Sequence, residues 1–490
     1  MDEQTGVLLM LSFEEYAKLD ATGLAALISA GEISVTEVHD TARAAIAALD
    51  ENLHAVAEGP WPASLDFAAN SPFRGVPFVL KDIGCHAKGV KMHMGTRALT
   101  DGYEHDTDSI LMTRFKAAGL AAIATTKLPE LALSAATEPL LKGPVLNPWN
   151  AERTVGGSSG GSAALVAGRA VPIAHANDGG GSIRVPACHN GLVGLKPSRG
   201  RIPLGPNQQE IMFGNGSEFV VSRSVRDTAA LLDYVHGYAP GERYGAPKPD
   251  DTFESSIGRR RQLRLAVSTR QWSDTALDGD VRSAMDTFVL DCASLGHHVD
   301  IVDPPLDWEL LVESFTVLWC FCAAASVDMI SAMSGKPKNR DWFEATTLAT
   351  AEAGHKLGPS ALQNALDGMN TVSRRIAAFM ADWDILVTPT CNTVAPPVGT
   401  LNADDVHETA AGWTHRILKL YPTCAMYNVT GAPAINVPVG FSEAYAVPIG
   451  IQLGAKMYQE ANLIQLAAEL ESIRPWDHRM PPTSIGRPIG

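Results

Sequence analysis

The stretch TVGGSSGGSAALVAGRAVPIAHANDGGGSIRVP, Thr154 to Pro186, decides how the rest of the chain is read. Two glycine-walled serine clusters, Gly156–Ser162 and Gly179–Ser182, flank a short apolar segment. Glycine permits close backbone approach and dihedrals that other residues avoid. A hydroxyl set among glycines is open to attack a ligand, and the neighbouring N–H groups are free to point at it. The stretch therefore reads as a nucleophile, Ser182, in a cradle of backbone amides, with Ser158 helping to activate it.

Outward from that stretch, short apolar runs alternate with helical patterns. Gly75–Asp82 (GVPFVLKD) reads as a buried strand that delivers Lys81 at its C-terminal end, where open α/β sheets bind ligands. Ser109–Ala118 reads as a helix closed by Gly119, and Leu120–Thr125 as a strand. Near the start, Thr22–Ala30 is a predicted helix, and Ser34-Val35-Thr36-Glu37 is a capping box opening a second helix to about Leu49. Later strands fall at Leu263–Ser268, His298–Val302, Ile385–Thr388, Ala434–Val439 and Ile449–Leu453. Helices are predicted over about Asp278–Leu295 and Glu460–Glu471. Apolar strands alternating with helices imply an α/β fold whose sheet is covered on both faces. Arg201–Phe219 and Tyr238–Thr252 have no clean period, and the first reads as a substrate lid or an ordinary surface loop.

Bulk properties narrow the function. The formal net charge of -15, without a basic run, argues against nucleic acid as a partner. Seven scattered cysteines without CxxC pairs read as reduced thiols of a cytoplasmic protein, and no zinc-type spacing appears. The N-terminus lacks a basic, apolar leader pattern. The longest uncharged apolar run, Ser314–Val327, is shorter than the ~20 residues a membrane helix needs. A soluble protein without metal or organic cofactor is expected, as a monomer or homodimer.

Three chemistries compete for the glycine-serine clusters. Gly157–Gly161 matches the GxSxG elbow of an α/β-hydrolase-type esterase with Ser159 as nucleophile. Phosphate binding is disfavoured, because GGSSGGS lacks the Lys-Ser/Thr of a P-loop. The third is a Ser–Ser–Lys arrangement. A serine needs a base, and lysine serves only when neutral, which at its ordinary pKa of ~10.4 is about one molecule in a few thousand at pH 7. Burial at a strand end lowers that pKa, and a second serine can carry the proton between them.

VLKD at Val79–Asp82, GGSSGGS at Gly156–Ser162 and GGSIRVPA at Gly180–Ala187 together resemble the amidase signature family. The resemblance covers most of the chain and takes in Asn147-Pro148-Trp149, Gly194-Leu195-Lys196-Pro197 and Leu386–Thr390. It implies one domain over residues 1–490 built on a central mixed, twisted sheet. Within it lie a helical packing segment (about 12–55), a catalytic core (about 70–235) and a pocket-forming C-terminal part (about 260–475). It also implies that Ser182 is acylated, that Ser158, after a cis Gly157–Ser158 bond, bridges proton transfer, and that Lys81 is the base. The amides of Gly179, Gly180, Gly181 and Ser182 would form the oxyanion hole. The family usually carries a larger residue where Gly179 follows Asp178; this glycine is expected to loosen the oxyanion loop or to make room for substrate. Within the family, the chain looks closest to hydrolases of 6-aminohexanoate cyclic dimer, with urethanases and aryl acylamidases close behind. The expected substrate is a small amide, anilide or carbamate, uncharged and fairly hydrophobic. The alternative is a glutaminase subunit of an amidotransferase that needs a partner.

Other residues have plainer readings. Asp178 and Arg184 are expected to brace the loop. Ser159 holds Lys81 or fills the turn, and Ser162 starts or packs a helix. Lys127 and Glu130 read as a solvated pair, and His175 and His189 as hydrogen-bonded structural residues. Phe315–Ala325 reads as a buried helix, with Trp319, Cys320 and Phe321 as candidate pocket walls.

Overall fold

A computed structural model describes residues 11–487. Its centre is an eleven-stranded sheet. The strands are β1 (Val56–Glu58), β2 (Val76–Lys81), β3 (Leu120–Thr126), β4 (Ile173–Asp178), β5 (Val193–Lys196), β6 (Ser217–Ser222), β7 (Arg264–Val267), β8 (His298–Ile301), β9 (Ile385–Pro389), β10 (Ala434–Ser442) and β11 (Val447–Ala455). Their spatial order is β1-β3-β2-β4-β6-β5-β10-β11-β9-β7-β8. The sheet is mixed. β2 runs parallel to β3 and β4, and β7 parallel to β8 and β9, while the remaining pairs are antiparallel. β2 and β3 are buried along their whole lengths, as unbroken apolar runs require. Helices Val35–Leu53, Gly160–Ala167 and Arg184–Asn190 pack on β2, β4 and β10–β11 respectively.

Local signals place the elements. The Ser34 hydroxyl accepts the Glu37 amide, and the Glu37 carboxylate accepts the Ser34 amide in return. Gly31 and Gly119 end their helices at φ 73° and 99°, which glycine adopts without a Cβ clash. The first of these helices starts at Ala21, one residue before the predicted start, and is capped by Asp20. The helix predicted to end at Leu49 continues to Leu53 and stops at His54, which is left-handed. The segment Arg201–Phe219 is not irregular throughout, because Ser217–Phe219 opens β6, pairing antiparallel with β4.

The apolar Phe315–Ala325 run lies inside a longer helix, Trp308–Ser334. Glu309, Glu313 and Asp328 belong to this helix but lie outside the uncharged run. At 27 residues it is long and apolar enough to cross a membrane, yet 56% of its apolar window is buried inside the protein. It packs against helices Ala345–Lys356 and Pro359–Phe379.

One contact fixes the helix that later meets the site. Tyr427, on the helix Cys424–Thr430, lies against Gly454 of β11, where an added Cβ would come within 1.9 Å of the ring. Gly454→Ala should therefore overpack this contact and destabilise the protein by about 1–3 kcal/mol. Urea unfolding should show the midpoint fall without a change in m value.

Candidate active site

Three lysines, Lys81, Lys127 and Lys196, are buried, and burial pulls their pKa values down to about 7, 8 and 7. Only Lys81 meets serine hydroxyls. Its Nζ lies 2.7 Å from Ser158 Oγ, 2.9 Å from Ser159 Oγ and 2.5 Å from Asn177 Oδ1. Lys127 instead donates to the carbonyls of Lys142 and Gly143, and Lys196 to that of Pro197. Desolvation of the ammonium lowers Lys81 despite the nearby Glu218 and Asp178 carboxylates, which favour its charge.

Strand alternation explains who faces Lys81. Side chains two apart on β4 share a face, so His175 and Asn177 both reach it. His175 Nδ1 accepts the Lys81 backbone amide at 3.2 Å, which leaves its proton on Nε2, 2.5 Å from Glu218 Oε2 on β6. Asn177 Nδ2 also donates to Glu218. Ser159 spans Lys81 and the Asn177 carbonyl, and Ser162 pins its helix by donating to the His175 carbonyl at 2.7 Å. The Gly157–Ser158 peptide is cis.

Asp178 ends β4 on the opposite face. Its carboxylate accepts the amides of Gly181 (2.7 Å) and Ile183 (3.2 Å), Arg184 through Nε and Nη2 (both 2.9 Å), and Asn428 Nδ2 (2.8 Å). The remaining Arg184 donors go to the Cys424 carbonyl, Gln452 Oε1 and Asn428 Oδ1. Both side chains are fully buried, and none of the five guanidinium N–H groups is left for a ligand. Burial opposes ionisation of Asp178, but Arg184 overrides it and holds the carboxyl well below the usual carboxylate range.

Ser158, Ser182 and Gly179–Gly181 line a cavity of about 550 Å³. Its walls are largely apolar and include Phe315, Trp319, Ile417, Leu418 and Tyr421. The acidic residues on its wall are Asp178, Glu210 and Glu218, and no lysine or arginine lines it among the described residues. Among those residues the Ser182 hydroxyl makes no protein hydrogen bond, so it is available to a ligand.

Several expectations need correction. The Gly181 amide is spent on Asp178 and is not free for an oxyanion, which leaves Gly179, Gly180 and Ser182 as candidate donors. Cys320 and Phe321 do not line the cavity. Helical spacing puts Phe315, Trp319, Cys322 and Ser326 on one wall and turns residues 320 and 321 away. Burial also pushes the Cys320 thiol up to about 11, against a nucleophilic role. Lys127 and Glu130 are buried and unpaired with each other. Glu130 accepts the Glu344 amide instead, and burial raises these two carboxyls to about 7 and 8. His189 has no hydrogen-bond partner for either ring nitrogen among the described residues. Ser159 is fully buried and bonded to no histidine, so the elbow reading has no geometry. The cysteines are free among the described residues.

Sequence reasoning missed Asn177, Glu218, Asn428 and Gln452. Asn177 had a signal, lying on the same strand face as His175 just before the glycine loop. The other three come from distant segments, and only the fold brings them in.

Known proteins fit this geometry. The Amidase family model matches residues 33–464. The chain belongs to the amidase signature family. It is 33% identical to a 6-aminohexanoate-cyclic-dimer hydrolase of Paenarthrobacter ureafaciens, over 94% of this chain and 96% of that one. It is 37% identical to a putative amidase AmiC of Mycobacterium bovis, over 94% and 95%. A solved structure of 6-aminohexanoate cyclic dimer hydrolase with substrate superposes with a TM-score of 0.86 at 32% identity, covering 95% of this chain and 99% of that one. As a member of the amidase family, the protein is a hydrolase acting on amide C–N bonds.

In this amidase, removing Asp178 would strand a buried guanidinium. Asp178→Ala should cost about 3–5 kcal/mol, the usual penalty for breaking a buried pair. Chemical denaturation measures it. The lowered carboxyl predicts the sign with pH. This contribution is full above the unfolded Asp value of ~3.9 and is lost as pH falls through the folded one.

Proposed function

We propose that the protein is a serine amidase in which Ser182 is acylated, Ser158 relays the proton and Lys81 is the base. The observation that carries this reading is Lys81 Nζ at 2.7 Å from Ser158 Oγ, with Ser158 and Ser182 both on the wall of one cavity. A lysine with pKa about 7 is half neutral at neutral pH, against about one in a few thousand for a lysine in water. Neutral Lys81 takes the Ser158 proton as Ser158 takes that of Ser182. The Ser182 oxygen attacks the carbonyl carbon, and the developing oxyanion meets the amides of Gly179, Gly180 and Ser182. The proton returns through Ser158 to the leaving nitrogen, and the C–N bond breaks. Water then hydrolyses the acyl-enzyme by the same relay.

The substrate follows from the walls. An apolar cavity without a lysine or arginine to pair with a carboxylate suits an uncharged, fairly hydrophobic amide. An anilide or a carbamate offers the same carbonyl between an acyl group and an amine, so urethanase activity belongs in the same proposal. The relatives named for 6-aminohexanoate cyclic dimer add a cyclic oligoamide to the candidates. Localisation in the cytoplasm accords with free, mostly buried thiols.

Ser182→Ala should abolish acylation, read by mass spectrometry with a serine-directed inhibitor and by turnover of a panel of amides, anilides, carbamates and lactam oligomers. Retained turnover would refute the nucleophile, and activity confined to carboxylate-bearing amides would refute the substrate class. For Lys81, log kcat/KM should rise with pH and level off above an apparent pKa near 7, because only the neutral amine accepts a proton. Lys81→Ala should lose this limb together with most of the rate.

A further inference from the structure

The residue at 179 is glycine, and the structure shows what stands in the space that a side chain would take. A Cβ built on Gly179 would lie 2.5 Å from Met212 Sδ. The thioether of the lid segment therefore occupies that volume, rather than a substrate group. Met212 lines the cavity together with Gly179 and Ser182 and packs against the cluster containing Phe315, Trp319 and Tyr421.

The backbone of the lid holds Met212 there. Met212 and Phe213 are both left-handed, at φ 52° and 55°, and Gly214 follows at 82°. Non-glycine residues persist in that region only where their surroundings enforce it. The turn closes on itself through Asn215 N to Met212 O (3.1 Å) and Gly216 N to Ile211 O (2.9 Å). From outside, Arg199 Nε donates to the Gly214 carbonyl, and Asn428 Nδ2 donates to the Asn215 carbonyl at 3.0 Å. The same Asn428 nitrogen reaches the Asp178 carboxylate at 2.8 Å. One side chain thus ties both the lid turn and the loop that carries Ser182.

We infer that Met212 is a specificity-determining residue. Seated in the space left open by Gly179, it limits the bulk a substrate can carry beside the carbonyl at Ser182. Straight-chain groups next to the scissile bond fit, and branched ones meet the thioether. This rests on Ser182 being the nucleophile. It implies that residues 179 and 212 share one volume, so that a side chain at 179 pushes Met212 into the cavity. The move is easy, since the atom in the way is near the flexible end of a methionine.

The test uses two fluorophosphonates, one with a linear and one with a branched alkyl group, and reads the rate of covalent labelling at Ser182 by mass spectrometry. Pocket size is then measured without knowing the natural substrate. Wild type should label faster with the linear reagent, and Met212→Ala should reduce that preference at least fivefold. Gly179→Ala should slow labelling by the linear reagent at least fivefold in the wild-type background, and by at least threefold less than that in the Met212→Ala background. A preference unchanged by Met212→Ala, or equal effects of Gly179→Ala in both backgrounds, would overturn the inference while leaving Ser182 as nucleophile. Absence of label on Ser182 in the wild type would overturn both. Should Gly179→Ala fail to fold, the linear-to-branched ratio of Met212→Ala decides alone.

Discussion

The Asp178–Arg184 pair holds the site together. A carboxylate and a guanidinium with no exposure are costly to desolvate, and such a pair is weak evidence for stability by itself. Its value here is geometric. The guanidinium is a rigid fork of five donors, and each is matched. The partners come from the end of β4, the helix Cys424–Thr430 and Gln452 of β11. The carboxylate fixes the amides of Gly181 and Ile183 on either side of Ser182. Ser182 is thereby located by elements far apart in the chain, and its hydroxyl makes no protein hydrogen bond among the described residues.

A second constraint lies across β4. Lys81 must be dry enough to lose its proton near neutrality but polar enough to stay ordered. Burial supplies the first, and three oxygen acceptors supply the second. Glu218 opposes the shift electrostatically and also holds His175 and Asn177, which meet the Lys81 backbone and amine. A lysine with less opposing charge would fall further and be a weaker base. The balance leaves Lys81 with a pKa of about 7, which suits the general-base role proposed for it.

Much of this was legible in the sequence, for identifiable reasons. β2 is apolar up to Lys81 and β3 up to Thr125, so their positions and the delivery of Lys81 at a strand end follow from composition alone. The capping box at Ser34 and the stops at Gly31 and Gly119 are local chemistry and appear as read. The serine clusters announced a loop site because glycine density has few other uses. What escaped depends on long-range pairing. Asn428 and Gln452 look like ordinary polar residues until the helix Cys424–Thr430 and β11 bring them to Arg184. The pocket wall was misassigned for a different reason. Three consecutive residues, 319 to 321, cannot share one helix face, and the 3.6-residue period that identified the helix also excludes two of them.

The loop Arg201–Gly216 shows how the space beside Gly179 is filled. A glycine at 179 leaves a gap on the cavity wall, and close packing penalises gaps. The chain fills it from a segment with no regular structure. Two left-handed non-glycine residues bring Met212 into place, and Asn428 fastens that turn to the Asp178 carboxylate. The Met212 side chain stands where a side chain at 179 would, so the shape of the cavity on the Ser182 side is set by tertiary contact.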